Sequence, residues 1–287
     1  MTLDVSKRIA FIGGGNMASA IIGGLIAAGY PASNVSVSEP YEELRKKLSA
    51  TYGVFTTSNN SEAIAHGPAD IVILAVKPQV MRGVAEGISE AVKTHSPVVL
   101  SIAAGILAKD LERWLMAHSA GKVPSIIRSM PNTPALVSQG ATAAWASETV
   151  SQSQKDLAFG ILAAVSKKTY FVEREELLDV VTGLSGSGPA YFFLLIECIE
   201  QAAIKLGLPA DVARGLAAQT CLGAGTMAVA TGEDPADLRR KVTSPNGTTQ
   251  AGIESAEAAG VRQLWENVVI AATKRSEELG AILGKDN

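Results

Sequence analysis

The chain has 287 residues and a formal net charge of -3, with 28 acidic against 25 basic side chains. That length accommodates two modest domains, and the lack of any basic run leaves no electrostatic footprint for nucleic acid. Hydrophobic residues make up 47%, aromatic residues 5% and charged residues 18%; the low charge predicts that part of the surface is covered in an oligomer. With two cysteines, Cys198 and Cys221, no secretory pattern before Arg8, and apolar runs such as 190–196 and 268–272 too short to span a bilayer, the expectation is a cytoplasmic protein with no membrane partner.

Ile9 to Ile12 reads as a buried strand, followed by Gly13, Gly14 and Gly15 and then by an Ala/Ile/Leu-rich helix ending near Gly29. In the spacing Gly13-x-Gly15-x-x-Ala18, the first glycine makes the turn, the second lets a pyrophosphate approach the backbone, and the small Ala18 lets the helix pack on the strand. The N–H groups that open such a helix then point at the phosphates. Val35 to Ser38 predicts a second strand ending at Glu39, where a dinucleotide's adenosine ribose is met. A carboxylate there accepts from both ribose hydroxyls and repels a 2′-phosphate, which favours NADH, while Arg45, Lys46 and Lys47 on the next helix could offset a phosphate and keep the choice open.

Val54 to Thr56 is a short third strand, and Asn59 with Glu62 fits a capping box for the helix that follows. Ala69 to Val76 and Val98 to Ile102 are further strands, ending in Lys77-Pro78 and Ala103-Ala104-Gly105. In an open parallel sheet these ends face the same groove as the glycine turn. Val123 to Met130 runs into Pro131-Asn132-Thr133-Pro134; Ala141 to Trp145 and Lys168 to Val172 give two more strands around a helix over 151–164. The alternation then stops. Helices are expected over 177–184, 189–206, 211–231, 235–242, 251–259 and 261–279, several apolar nearly all round, so that a homodimer through them is the physical expectation.

Catalytic side chains are scarce. His66, His95 and His118 lie near helix ends or loops without metal-ligand spacing, and no Cys-x-x-Cys, HExxH or paired-carboxylate pattern occurs, so no metal site is expected. Hydride transfer suits this poverty, because the nicotinamide carries the reactive carbon. Two polar turns stand out: Ser185-Gly186-Ser187-Gly188-Pro189-Ala190-Tyr191 and Thr243-Ser244-Pro245-Asn246-Gly247-Thr248-Thr249. Both present hydroxyls and helix N–H groups to an anion, and both are also ordinary helix-cap chemistry. A dehydrogenase of β-hydroxyacids would require a lysine between Gly183 and Glu200, which is lacking; a non-catalytic dinucleotide sensor is the alternative from another class.

FIGGGNM at 11–17, AVKP at 75–78, SIAAG at 101–105, MPNTP at 130–134, SGSGPAYFF at 185–193 and TSPNGTT at 243–249 together resemble the bacterial pyrroline-5-carboxylate reductases essentially end to end. The resemblance implies an α/β fold: an N-terminal Rossmann-like parallel sheet domain over 1–172 and an all-helical C-terminal dimerisation domain over 173–287. It implies reduction of Δ1-pyrroline-5-carboxylate to L-proline with NADPH or NADH, by a homodimer assembled into a larger ring, a dimer-based decamer. On this likeness the cofactor is bound by Ile12, Gly13, Gly14, Gly15, Asn16 and Met17 at the pyrophosphate, by Asn60 on the adenosine side, and by Ala75, Val76, Lys77, Pro78, Ala103, Ala104 and Gly105 at the ribose and nicotinamide, with Glu39 and Asn132 completing the set. Ser187, Val242, Ser244, Asn246, Gly247, Thr248 and Thr249 contact the substrate, its carboxylate held by N–H groups of the TSPNGTT turn, and Thr249 is catalytic through its hydroxyl at the ring nitrogen. Family members often carry a polar or small residue where this chain has Glu39, with a basic or serine neighbour; here the neighbour is Pro40, and the resemblance leaves NADPH or NADH undecided.

Overall fold

The computed structural model describes residues 3–117 and 123–285. They form two compact units, Met1–Gly186 with Ala272–Asn287, and Ser187–Ala271. In chain order the first unit contains β1 (Ile9–Ile12), α1 (Asn16–Ala27), β2 (Val35–Ser38), α2 (Glu42–Tyr52), β3 (Phe55–Thr57), α3 (Asn60–Ala65), β4 (Ile71–Leu74), α4 (Met81–Gly87), α5 (Ser89–His95) and β5 (Val98–Ser101). It continues with α6 (Ala108–Leu115), β6 (Ile126–Met130), β7 (Gly140–Ala146), α7 (Gln152–Ala163), β8 (Ser166–Phe171) and α8 (Leu177–Val181).

The eight strands form one sheet in the order β3-β2-β1-β4-β5-β6-β7-β8. β1, β2, β4 and β5 are buried at every position; β1 and β4 are wholly apolar, while the two serines of β2 are satisfied by the Ala63 carbonyl and by Asn60 Oδ1. Phe11, Ile71 and Ile73 sit in the cluster on one face, and Ile12, Val72 and Leu74 in the cluster on the other. Each such fully buried side chain stabilises the fold by about 1.5–3 kcal/mol. β1 pairs in parallel with β2 on one side and β4 on the other, so the strand order reverses at β1, and the crevice beyond its carboxyl end is where an open sheet takes a ligand.

The sheet is not wholly parallel, because β7 runs antiparallel to β6. The Pro131–Gln139 connection holds only a short 3-10 turn at Thr133–Val137, too little chain for the crossover that a parallel pair requires. β3 lies one residue later than expected. The capping box at α3 is half formed: Asn59 accepts from the Glu62 N–H, but the Glu62 carboxylate takes the Thr57 hydroxyl, and the Asn59 N–H turns to Thr57 Oγ1. The expected 3.6-residue pattern for 177–184 also gives way: α8 stops at Val181 and a π-helical turn spans Thr182–Gly186.

Sequence alone placed the domain division at 172/173, whereas the compact units part after Gly186. The segment between is fastened to the sheet-bearing unit. Glu175 Oε1 accepts from the Ala108 N–H at 2.7 Å and from Arg128 at 2.6 Å, and Asp179 accepts from the Ser276 hydroxyl at 2.6 Å. Ala108 is the first residue of α6, whose N-cap Leu107 offers no side-chain acceptor, and Glu175 fills that role from far along the chain.

The second unit holds α9 (Gly188–Lys205), α10 (Ala210–Thr231), α11 (Pro235–Lys241) and α12 (Thr248–Ala258). α13 (Val261–Leu283) begins here, and its last turns belong to the first unit. α12 starts three residues before its expected position, so Thr248 and Thr249 lie in its first turn and not in the loop before it. Among residues 187–271 only Gly188 and Ala213 are fully buried, while Phe192, Phe193, Leu194, Leu216, Leu222 and Leu264 are each more than half exposed. One copy of this unit cannot bury its own apolar surface, which is the composition of an oligomer contact.

Candidate functional site

The three glycines after β1 serve different ends. Gly13 has φ +99°, and a Cβ on it would lie 2.7 Å from the Ala75 carbonyl oxygen, so neither the turn nor the approach of β1 to β4 admits a side chain. At Gly14 a Cβ would stand 2.6 Å from Leu48 and 3.3 Å from Glu39, a packing demand. Gly15 is under no such constraint: its φ is -66°, and a Cβ there would meet nothing within 4 Å. It is the N-cap of α1 with no side-chain cap, and it is exposed, so the first N–H groups of the helix open onto space that a Cβ would fill. These residues fit a pyrophosphate, and beyond the general preference for glycine over alanine at an N-cap neither packing nor dihedrals call for the third glycine.

Neighbouring strand ends assemble on this edge. The Ala75 N–H donates to the Ile12 carbonyl at 2.8 Å and the Ile102 N–H to that of Leu74 at 3.2 Å, which brings Ala75–Pro78 and Ala103–Gly105 beside Ile12–Met17. Lys77 is exposed, whereas Ala103 and Gly105 are buried. Gly105 has φ +75°, and a Cβ on Gly280 of α13 would lie 3.2 Å from its carbonyl oxygen, so the last turns of the chain underlie this loop. The sequence reading missed that contact, for which residues 279–283 carry no signal beyond a helical pattern.

Glu39 follows the end of β2, as expected, with its carboxylate bonded to backbone N–H groups. It is 5% exposed, and both carboxylate oxygens already accept backbone donors, Oε2 from Gly14 at 2.9 Å and Oε1 from Tyr41 at 3.1 Å. The carboxylate braces the glycine turn, and each oxygen keeps acceptor capacity for a further donor. At the same strand end Arg45 donates through Nη1 to the Glu39 and Pro40 carbonyls, both at 2.7 Å, which fixes its guanidinium there. Lys46 is paired with Glu42 at 2.9 Å. Asn60 opens α3, with Oδ1 accepting from the Ser38 hydroxyl at 2.5 Å. Asn132 is 8% exposed; its Nδ2 donates to the Ser185 carbonyl at 3.0 Å and its Oδ1 accepts from the Ala141 N–H at 2.9 Å.

The SGSGP stretch, expected as a polar turn before a helix, holds a π-turn over Thr182–Gly186 and the start of α9. Leu177–Lys205 is a continuous helical run of 29 residues in which the π-turn absorbs the irregularity, and Ser187 has helical dihedrals of -84° and -19°. α9 itself begins at Gly188, with Ser187 as its N-cap and no side-chain cap. By length and composition alone this run is long and apolar enough to cross a membrane, and 11% of its most apolar stretch is buried.

In the second unit, TSPNGTT forms a tight turn closed by the Gly247 N–H to the Ser244 carbonyl at 3.1 Å, with Pro245 second and Asn246 third at φ +57°, the pattern of a type II turn. The Asn246 N–H is taken by Gln250 Oε1 at 2.7 Å, so it is not available to a ligand. Gly247 is the N-cap of α12 and provides no side-chain cap, which leaves the N–H groups of Thr248 and Thr249 in the uncapped first turn of an 11-residue helix. The Thr249 hydroxyl is exposed and bonds to no other group among the described residues. Val242 is 61% exposed at the end of α11. Among the described helices α1 and α12 share a glycine at the N-cap, Gly15 in one unit and Gly247 in the other.

His66 stacks on Phe55 with ring centroids 3.6 Å apart, His95 closes α5, and His118 lies outside the described residues. No cluster of three or more His, Cys, Asp or Glu side chains able to hold a metal occurs among the described residues.

Comparison with known proteins assigns both units. Residues 8–105 match the family described as NADP oxidoreductase, coenzyme F420-dependent, and residues 175–279 the family described as pyrroline-5-carboxylate reductase dimerisation. The chain is 45% identical over 280 residues to a pyrroline-5-carboxylate reductase of Pseudomonas aeruginosa, covering 98% of this chain and 99% of that one. It is 40% identical to the enzyme of Haemophilus influenzae, covering 95% and 97%. The solved pyrroline-5-carboxylate reductase of Coxiella burnetii superposes with a TM-score of 0.89 at 40% identity over 95% of this chain and 98% of that one. That of Plasmodium falciparum, with NADP bound, superposes at 0.81 and 27% identity over 96% and 98%. The chain belongs to the pyrroline-5-carboxylate reductase family.

Proposed function

We propose that the glycine turn and the strand ends of the first unit hold the dinucleotide, and that the uncapped start of α12 in the second unit holds the carboxylate of the imino acid. The protein is an NAD(P)H-dependent oxidoreductase that reduces the C=N bond of Δ1-pyrroline-5-carboxylate to give L-proline, the last step of proline biosynthesis, and it acts as a homodimer. The observation that carries the cofactor assignment is Gly15, a glycine that neither backbone nor packing requires, set at an uncapped helix start.

Bound NAD(P)H supplies the hydride that the imine carbon accepts. The chain's own part is placement. Backbone N–H groups of Asn16 and Met17 take the pyrophosphate, and Ala103–Gly105 give the nicotinamide end an apolar wall. Thr248 and Thr249 N–H groups take the substrate carboxylate, and the Thr249 hydroxyl donates to the ring nitrogen, holding the ring in register. A protonated imine is already a good hydride acceptor, so no strong side-chain acid is required. Ser187 and Ser244 complete the polar contacts, and the dimers associate further into a decamer.

Thr249→Ala lowers kcat by about 10–100-fold between about pH 6 and 9 while Thr249→Ser retains most of the rate, followed by the loss of dihydronicotinamide absorbance with pyrroline-5-carboxylate. Unchanged turnover for Thr249→Ala across that range removes the hydroxyl from the mechanism. Binding of dinucleotide without its oxidation by this imine would return the chain to the class of cofactor sensors.

A further inference from the structure

Ser185 has a carbonyl that its own helix cannot serve. In a continuous α-helix that oxygen would accept from the residue four positions on, which is Pro189 and has no N–H, and the proline ring also crowds it. A π-turn would offer the fifth residue, Ala190, but its N–H donates to the Ser187 carbonyl at 3.0 Å. The missing donor comes from the end of β6: Asn132 Nδ2 reaches the Ser185 carbonyl at 3.0 Å.

The Asn132 amide can only be oriented this way, because its other atom accepts from the Ala141 N–H at 2.9 Å and must be the oxygen. At the same strand end Met130 Cε occupies the space that a Cβ on Gly186 would enter. Residues of MPNTP therefore determine the shape of the Thr182–Gly186 π-turn, which leads directly into Ser187.

We propose that Asn132 is a positioning residue for the substrate half of the reaction, standing in for the N–H that Pro189 lacks and holding the π-turn from which Ser187 extends, and that it does not bind the dinucleotide. The inference rests on the reading that Ser187 and the start of α12 meet the imino acid. A half-buried carbonyl left without its donor relaxes, so loss of the Asn132 donor shifts Ser187 while the glycine turn, built from β1 and α1, is untouched.

The test uses the full-length enzyme with Asn132→Asp, which keeps an acceptor for Ala141 but has no donor for Ser185, and with Asn132→Asp/Pro189→Ala, which restores an N–H at position 189. Asn132→Asp is expected to lower kcat/KM for pyrroline-5-carboxylate about tenfold, with dinucleotide affinity by fluorescence titration unchanged within about twofold, and Pro189→Ala in that background to recover about half of the loss on a logarithmic scale. If Asn132→Asp does not fold, Asn132→Ala with and without Pro189→Ala makes the same comparison. Weakened dinucleotide binding would make Asn132 a cofactor contact and overturn the proposal, as would a loss that Pro189→Ala fails to relieve. Wild-type kinetics for Asn132→Asp overturn it as well; Thr249→Ala measured alongside then decides whether the substrate-site reading survives, because a normal Thr249→Ala removes that reading too.

Discussion

Substitution of the first and third glycines separates what the fold needs from what the ligand needs. At Gly13 an alanine would adopt φ +99°, which costs about 1–3 kcal/mol. Its Cβ would also lie 2.7 Å from the backbone oxygen of Ala75, just past β4, which cannot swing aside, and overpacking of that kind costs a further ~1–3 kcal/mol. Gly13→Ala therefore loses about 2–6 kcal/mol of stability, a large share of the 5–15 kcal/mol typical of a domain. At Gly15 the φ of -66° suits any residue and nothing stands within 4 Å, so Gly15→Ala costs under about 1 kcal/mol, the difference between the two residues at an N-cap. The same methyl occupies the approach to the N–H groups of α1 and should weaken NAD(P)H binding at least about tenfold, about 1.4 kcal/mol. Thermal melting and fluorescence titration of both variants give the answer. A Gly15→Ala enzyme that binds dinucleotide normally refutes the placement of the pyrophosphate, and a Gly13→Ala enzyme that melts like the parent refutes the packing argument.

Three further outcomes are expected. Glu175→Ala strands Arg128, whose side chain is 5% exposed, and uncaps α6, so melting should show a loss of about 3–5 kcal/mol, and Glu175→Gln, which still accepts from both donors, should lose less. Arg45→Ala raises KM for NADPH about tenfold and leaves NADH within about twofold, because a guanidinium fixed at the end of β2 serves a 2′-phosphate; equal effects on both cofactors would confine Arg45 to supporting the strand end. Phe193→Asp places a charge on a side chain that is 66% exposed in one copy, and light scattering should find monomer or aggregate in place of the homodimer; an intact dimer would place the interface elsewhere on the helical unit.

Several elements were legible because short-range chemistry decides them. Four apolar residues, three glycines and a small-residue helix can hardly form anything but a strand, turn and helix, and β1, α1 and Ala18 lie where the pattern puts them. The Ser151 cap of α7 is likewise a local matter, with Gln154 completing a full capping box. Asn59 and Glu62 show the same signature without the same result, since Thr57 at the end of β3 competes for both groups.

What chain order by itself determined is the class of molecule: a dinucleotide-binding sheet followed by helices too apolar to stand alone, with the glycine turn opening α1 and a polar turn at TSPNGTT. Tertiary structure decided which polar groups remain for a ligand. The Glu39 carboxylate is drawn inward by Gly14 and Tyr41, and the Asn132 amide is spent on Ser185 and Ala141. Those partners lie up to 53 residues away in sequence. A hydrogen-bonding group is committed by whatever donor or acceptor the fold brings within 3 Å of it, and for buried groups that neighbour is set by packing between distant segments, which no local pattern records.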